Sequence, residues 1–258
     1  MKTRIALLAL LIAVSPVFAQ KKKAAAKNTP AVSSSSTLNE VRLFQSFFED
    51  APIAKTDHVQ PAFSYSDYDG MSVMTIGAMG GHPFSPKMDL GAELHYASYS
   101  WDIEGMDGES GITDLGLFGR YNMKSEKDQV VSVGAQLTLP IGSEDIGQGN
   151  MNFGGFGAYR KALSGGMVVT ATAGLYFYEV GDDRENFLRL GGGLIKQMNK
   201  KTNLVGEFVM KTEFDYMMLS GGVDYAMSNG AKLRGGLGLG LDDGAPDLML
   251  MAGYFLNL

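Results

Sequence analysis

Few side chains in this sequence could do nucleophilic or acid–base chemistry. Cysteine is absent and the histidines are His58, His82 and His95, which excludes thiol catalysis and cysteine-ligated metal sites. Glu93 lies two positions before His95, so on a β-strand the two side chains would share one face. Neither a G-x-S-x-G nor an H-E-x-x-H motif is present. We therefore expect His95 to be a hydrogen-bonded polar residue, and we expect no enzyme.

Clusters of acidic residues offer oxygen ligands to a divalent cation. They are Asp182, Asp183 and Glu185, and Asp242, Asp243 and Asp247. Neither cluster has the spacing of an EF-hand with its closing Glu. The sequence therefore predicts solvated acidic loops, with no metal and no cofactor.

The composition excludes two broad classes of protein. Hydrophobic residues make up 45% of the 258 residues, too many for a chain that is disordered throughout. The formal charge is −6, whereas a general nucleic-acid binder should be basic. The 34 glycines, with 14 phenylalanines and 11 tyrosines, favour twisted strands over helices.

The first residues have the pattern of a secretory signal peptide. Lys2 and Arg4 precede an apolar run over residues 5–14, and small residues precede Gln20. This pattern predicts cleavage after Ala19, with residues 1–19 as the signal peptide. The protein should then leave the cytoplasm, with a bacterial cell envelope as its destination.

Residues 20–57 are predicted to be a flexible linker that includes a short helix. Residues 20–37 are of low complexity. Over residues 38–50, apolar side chains recur at helical spacing, at Leu38, Val41, Phe44, Phe47 and Phe48. A small helix that rests on the domain is the favoured interpretation. A plug inside a pore and an element that docks a partner stay open as alternatives.

Period-two alternation and turn signals recur through residues 58–258 and predict twelve β-strands. Residues 231–241 are typical, since Leu233, Leu237 and Leu239 alternate with Arg234 and Gly236. Apolar residues that face lipid around a glycine-rich, charged lumen would give this pattern. The predicted fold is all-β, a transmembrane antiparallel up-and-down barrel. The predicted strands are 59–67, 70–80, 87–101, 111–123, 129–140, 151–163, 166–179, 186–198, 202–213, 216–227, 231–241 and 247–258.

The connections between these strands separate by charge. Alternate connections, beginning with 67–70, carry seventeen acidic residues and one basic residue, Arg184. The others carry five lysines and two acids, and most of them are shorter. Long acidic loops on one rim and short turns on the other are typical of outer-membrane barrels. Lipid and lipopolysaccharide are therefore the predicted surroundings.

Four tyrosines are predicted to form an aromatic girdle at the membrane interface. Tyr121, Tyr159, Tyr225 and Tyr254 fall near the same ends of their strands, on the lipid-facing parity. Tyrosines scattered by their β-propensity are the alternative.

Strand parity assigns a set of ionisable residues to the lumen. One hypothesis is that they pair across the lumen as charge ladders. The other is that Arg120, Arg160, Lys232 and Arg234 form an anion-attracting constriction. The full set is Glu93, His95, Asp114, Arg120, Arg160, Arg189, Glu207, Lys211, Asp224, Lys232 and Arg234.

Three stretches resemble the MetA-pathway-of-phenol-degradation family of outer-membrane channels. They are residues 111–121, residues 133–160 with Leu-Pro-Ile-Gly at 139–142, and the acidic stretch 242–247. The resemblance implies an outer-membrane barrel that passes a small solute, often an aromatic one. Tyr254, Leu256 and Leu258 would be the signal for the barrel-assembly machinery, although that family usually ends in an aromatic residue where Leu258 stands.

The sequence thus predicts an outer-membrane channel for passive passage of a small solute, aromatic or hydrophobic. The alternative is a non-conducting structural or adhesion-type barrel that acts through its acidic loops. A soluble periplasmic β-protein is a third hypothesis.

Overall fold

The computed structural model describes residues 40–103, 105–180 and 183–258. The predicted signal peptide and most of the predicted linker, residues 1–39, lie outside this part. Thirteen strands account for most of the described chain. Their bounds are β1 His58–Tyr68, β2 Met71–Ser85, β3 Met88–Trp101, β4 Glu109–Ile112, β5 Leu115–Ser125, β6 Gln129–Leu139, β7 Asn152–Leu163, β8 Met167–Val180, β9 Asp183–Gln197, β10 Thr202–Lys211, β11 Tyr216–Ala226, β12 Lys232–Gly240 and β13 Leu248–Asn257.

The strands form one closed antiparallel barrel. Apart from short β4, which β5 does not pair with, each strand pairs with its neighbours in sequence, and β1 closes the ring by pairing with β13. Short β4 and longer β5 both pair with β3 and occupy one position in the wall. The wall therefore has twelve positions, which confirms the predicted all-β barrel.

The predicted strand over residues 111–123 is interrupted at Asp114. The Asp114 carboxylate accepts hydrogen bonds from the backbone N–H groups of Gly142, at 2.9 Å, and Gln148, at 2.7 Å. Asp114 therefore orders the loop between β6 and β7. These hydrogen bonds hold the loop against the wall at the point where the strand is interrupted.

Antiparallel pairing places alternate connections on the same rim. His58 pairs with Asn257, so both ends of the barrel lie on one rim with the lysine-bearing turns, which we call the basic rim. The β3–β4, β6–β7 and β12–β13 loops lie on the opposite rim, with the acidic residues. We call this the acidic rim.

The outer face of the wall is apolar. Leu233, Leu237 and Leu239 on β12 are more than half exposed, while Arg234 between them is buried. The same alternation recurs around the ring, where Tyr121, Tyr159 and Tyr225 also face outward. No helix long and apolar enough to cross a membrane occurs among the described residues.

Residues 41–54 lie inside the barrel, and we call them the inner segment. Every one of these residues is buried or half-buried. Side chains of ten wall strands, β3 and β5 to β13, contact the inner segment or the residue before it. Only a position in the interior allows one short segment to contact so many strands.

The predicted helix over residues 38–50 is wrong for residues 41–50. Residues 41–50 contain bends and turns but no helix. The physical reason is that wall side chains bind the backbone groups that a helix would pair internally. The backbone N–H groups of residues 44–46 and the carbonyls of residues 41–43 all bond to wall residues.

Glycines of the inner wall make room for the apolar side chains of this segment. A Cβ atom at Gly91 would lie 2.3 Å from the Phe48 ring, and one at Gly222 would lie 2.6 Å from the Phe44 ring. Real Cβ atoms do not approach so closely. The glycine-rich face thus fits an occupied interior.

We expect Gly91→Val to lower the stability of the barrel by about 1–3 kcal/mol, because overpacking displaces the Phe48 ring. Gly157→Val is the matched control, because Gly157 faces outward with open space around it. The measurement is the temperature at which the heat-modifiable gel band of the folded barrel disappears. Equal temperatures for the two variants would contradict this packing.

Candidate functional site

The inner segment separates two cavities. One, of about 430 Å³, opens toward the acidic rim; its floor includes Phe44, Phe48 and Glu49. The other, of about 480 Å³, lies at the basic rim and is lined by Ile53, Lys55 and Pro86, among others. We call the first the acidic-rim cavity. The interior could act as a passage only if the inner segment moves.

Glu207 on β10 holds the start of the inner segment. One carboxylate oxygen accepts hydrogen bonds from the N–H groups of Phe44 and Gln45, both at 2.9 Å. The other accepts one from Ser46 N–H at 2.8 Å. Bonds to an ionised acceptor are stronger than neutral ones. This single carboxylate therefore anchors three successive residues.

Asp50 holds the centre of the segment. Its carboxylate is fully buried and pairs with Arg160 on β7, and it accepts a hydrogen bond from Thr170 at 2.8 Å. Arg160 also donates to the Val41 carbonyl at 2.9 Å. Arg120 donates to the Asp50 carbonyl at 3.2 Å. Two arginines of the wall thus bind both side chain and backbone.

Glu49 is bound on the cavity side. It pairs with Arg189 on β9 and accepts a hydrogen bond from the Tyr176 hydroxyl. Arg189 also donates to the Gln45 carbonyl at 3.0 Å. This ion pair neutralises Arg189 at the floor of the acidic-rim cavity.

Arg234 on β12 closes the other side of the segment. Its guanidinium lies 3.4 Å from the Asp224 carboxylate and donates to Gln60 at 2.7 Å. It also donates to the carbonyls of Arg42 and Leu43. The Phe44 ring lies 4.7 Å from the guanidinium carbon, a cation–π contact.

The four residues of the predicted constriction all contact the inner segment or Glu40, the residue before it. Arg120, Arg160 and Arg234 bind the inner segment as described, and Lys232 donates to the Glu40 carbonyl. They therefore meet backbone oxygens and carboxylates of this chain. Anion attraction by these residues stays a prediction.

The other predicted lumen residues lie at different places. Arg189, Glu207 and Asp224 are buried near the segment, while Glu93, His95 and Lys211 line the acidic-rim cavity. Asp114 binds the β6–β7 loop instead. Of the predicted assembly signal, Tyr254 and Leu256 lie on β13, and exposed Leu258 follows it.

Sequence reasoning missed several residues of the site. Asp89 on β3 pairs with Arg120 and accepts a hydrogen bond from Ala54 N–H at 2.8 Å. Its strand parity matches that of Glu93 and would have placed it in the lumen. Glu49 and Asp50 were assigned to a helix, and no signal in the sequence links them to particular wall strands.

Among the described residues, no group of three or more histidines and acids is placed to hold a metal ion. The interior is instead a set of arginine–carboxylate pairs and backbone contacts. Such an arrangement can bind a segment or a polar solute.

Solved structures of outer-membrane channels share this architecture. The chain is similar to the COG4313 outer membrane channel from Pseudomonas putida F1, with a TM-score of 0.64 and 15% identity over 82% of this chain and 98% of that one. The chain has the fold of an outer-membrane β-barrel channel. The resemblance predicted from the sequence is therefore confirmed in the fold.

Two porins are also similar to the chain. The KdgM porin has a TM-score of 0.57 and 13% identity over 77% of this chain and 99% of that one. The NanC porin has a TM-score of 0.54 and 10% identity over 78% and 100%. No family model and no curated protein sequence matches the chain.

We expect Asp50→Asn to loosen the inner segment, because it removes the buried charge that pairs with Arg160. Breaking a buried ion pair costs about 3–5 kcal/mol. The measurement is maleimide labelling of Ser46→Cys in the folded protein, which has no other cysteine. Labelling should be about a hundredfold faster in the Asp50→Asn background, because it follows the open population.

Asp145→Asn is the control for this experiment, since Asp145 is an exposed acid in the β6–β7 loop. It should leave the labelling rate unchanged. Equal rates in all three backgrounds would show that the Asp50–Arg160 pair does not hold the segment.

Proposed function

We propose that the protein lies in the bacterial outer membrane and passes a small solute through the barrel when the inner segment moves. One observation carries the proposal: a closed wall, apolar outside and charged inside, has a cavity at each rim, and among the described residues the segment 41–54 lies between them. Passive diffusion through such an interior needs no catalytic residue, so we propose no enzymatic activity.

The outer surface supports the location. In a bilayer every backbone polar group must be bonded within the protein, and a closed ring of strands achieves this. The wall is closed and its outer face is rich in leucine. The acidic rim would face lipopolysaccharide, and β13 with Tyr254 and Leu256 would be recognised by the barrel-assembly machinery.

The contacts of the inner segment support its movement. Most of them are hydrogen bonds and ion pairs to wall side chains, which water and a polar solute can replace. The Phe48 ring stacks on Phe118 at 4.3 Å between centroids. Aromatic rings of the wall, among them Phe118 and Phe187, also line the acidic-rim cavity. This lining supports a solute with an apolar or aromatic body.

The occupied interior also favours the second hypothesis. A barrel whose lumen stays filled would be a structural or adhesion-type protein that acts through its acidic loops. The two hypotheses differ in one property, the ability of residues 41–54 to leave the lumen. A reversible lock on this segment therefore distinguishes them.

The lock is a disulfide between Ser46→Cys and Gly191→Cys. A Cβ atom at Gly191 would lie 3.4 Å from the Ser46 hydroxyl oxygen, close enough for a disulfide, but 2.6 Å from the Thr172 hydroxyl. Thr172→Ala removes this obstacle, and the Thr172 hydroxyl has no hydrogen-bond partner among the described residues.

In a planar bilayer we expect steady openings of the reduced variant and closure on oxidation, because the bond holds the segment in the lumen. The variant without Ser46→Cys is the control and should ignore the oxidant. Equal conductance in both redox states would mean that passage does not need movement of the segment. Silence of the folded protein in both states would favour the non-conducting barrel.

A further inference from the structure

The acidic-rim cavity has charged side chains on its walls that none of the described residues neutralises. Charged residues that line it include Glu49 and Arg189, which pair with each other, and Arg234, which pairs with Asp224. The remaining ones are Glu93 and Lys211. Within the described part of the chain, neither forms an ion pair or a side-chain hydrogen bond.

Lys211 forms a positive site at one wall. It is the cross-strand partner of Arg189, so two cations lie side by side on β10 and β9. Like charges at opposed positions of a sheet destabilise it. Glu49 neutralises Arg189, whereas among the described residues the Lys211 ammonium lies against aromatic rings, 4.4 Å from the Tyr216 centroid and 6.0 Å from that of Phe214. An anionic group at this position would relieve the repulsion.

Glu93 forms a negative site at another wall. Its cross-strand neighbours are Met79 on β2 and Gly116 on β5, and neither is a cation. The carboxylate lies over Gly116, where a Cβ atom would be 3.1 Å from its Oε1. His95, two residues along the same strand, lines the same cavity. A cationic group is the natural partner for a carboxylate in this position.

The two sites lie on opposite sides of the barrel. In the ring, β3 and β10 are separated by five wall positions in either direction. Glu93 and Lys211 are therefore too far apart to pair, and a ligand that binds both must carry its charges at its two ends. Between them the cavity is lined by apolar and aromatic side chains such as Phe118, Tyr176 and Met251.

We propose that the acidic-rim cavity binds an elongated zwitterion with an apolar body, the chemistry of a short peptide with free termini. Its ammonium group binds Glu93 and its carboxylate binds Lys211. The inference deepens the proposed function, on which it rests, because it names the class of solute that the channel receives. The cavity volume of about 430 Å³ lies in the usual range of small-molecule sites.

The test uses the tripeptide Ala-Phe-Ala in four forms: with free termini, N-acetylated, C-amidated and blocked at both ends. An extended tripeptide spans about 10 Å. Equilibrium dialysis against the full chain in detergent measures binding without any need for transport. We expect the form with free termini to bind at least tenfold more tightly than the doubly blocked form.

The protein variants identify which end binds where. Glu93→Gln should weaken binding of the peptide with free termini about tenfold but leave binding of the N-acetylated form unchanged. Lys211→Met should likewise weaken binding of the peptide with free termini about tenfold, because it removes the partner of the carboxylate. It should leave binding of the C-amidated form unchanged. Charge-removing controls at the basic rim, Glu126→Gln and Lys87→Met, should change neither.

The outcomes separate the site from the proposed function. Absence of binding, or binding that depends on neither residue, would overturn the site, and uptake of other solutes into liposomes would then still support the channel. Binding with the expected dependence, together with no liposome uptake of any small solute, would overturn the channel and leave the site. Misfolding of a variant would weaken the binding of all four peptide forms equally. Such a uniform loss of binding in both variants counts against the site.

Discussion

The structure depends on the pairing of buried charges, above all the arginines of the inner wall. Inside the closed wall, Arg120, Arg160 and Arg234 are almost completely buried, and an unpaired charge in such a place is strongly unfavourable. The carboxylates of the wall satisfy only part of this need. The inner segment supplies the rest through Asp50 and its backbone carbonyls. Wall and segment are therefore complementary, and each leaves polar groups unsatisfied without the other.

The same complementarity extends to shape. The wall has glycine where the segment has a large side chain, as at Gly91 beside Phe48 and Gly222 beside Phe44. Glycine in a strand interior weakens the strand. The glycines therefore lower the stability of individual strands but make room for the side chains that fill the barrel. Polar contacts hold the backbone of the segment and aromatic contacts fix its side chains. Under the proposed function, passage of a solute would require both kinds of contact to be exchanged together.

The charges that the segment does not use lie on the acidic-rim side. Glu93 and Lys211 stand above the floor formed by Phe44 and Phe48, on opposite walls. A solute that enters from this rim meets them before it meets the segment. The proposed recognition at the cavity and the proposed opening of the lumen would be coupled through the Arg189–Glu49 pair, which belongs to both the cavity lining and the segment contacts.

Local patterns in the sequence are enough to predict the barrel. The two-residue alternation and the sorting of charged loops gave twelve strands, with bounds within a few residues of those observed for most of them, because local patterning reports which face of a strand is apolar. Strand parity also brought Glu93, Lys211 and Arg234 to the interior. Only the tertiary structure decided what fills that interior. The apolar spacing of residues 38–50 favours a helix locally, but Glu207 and the wall arginines bind that backbone, and these residues are 70 to 192 positions away in the chain. Contacts over such separations leave no local pattern.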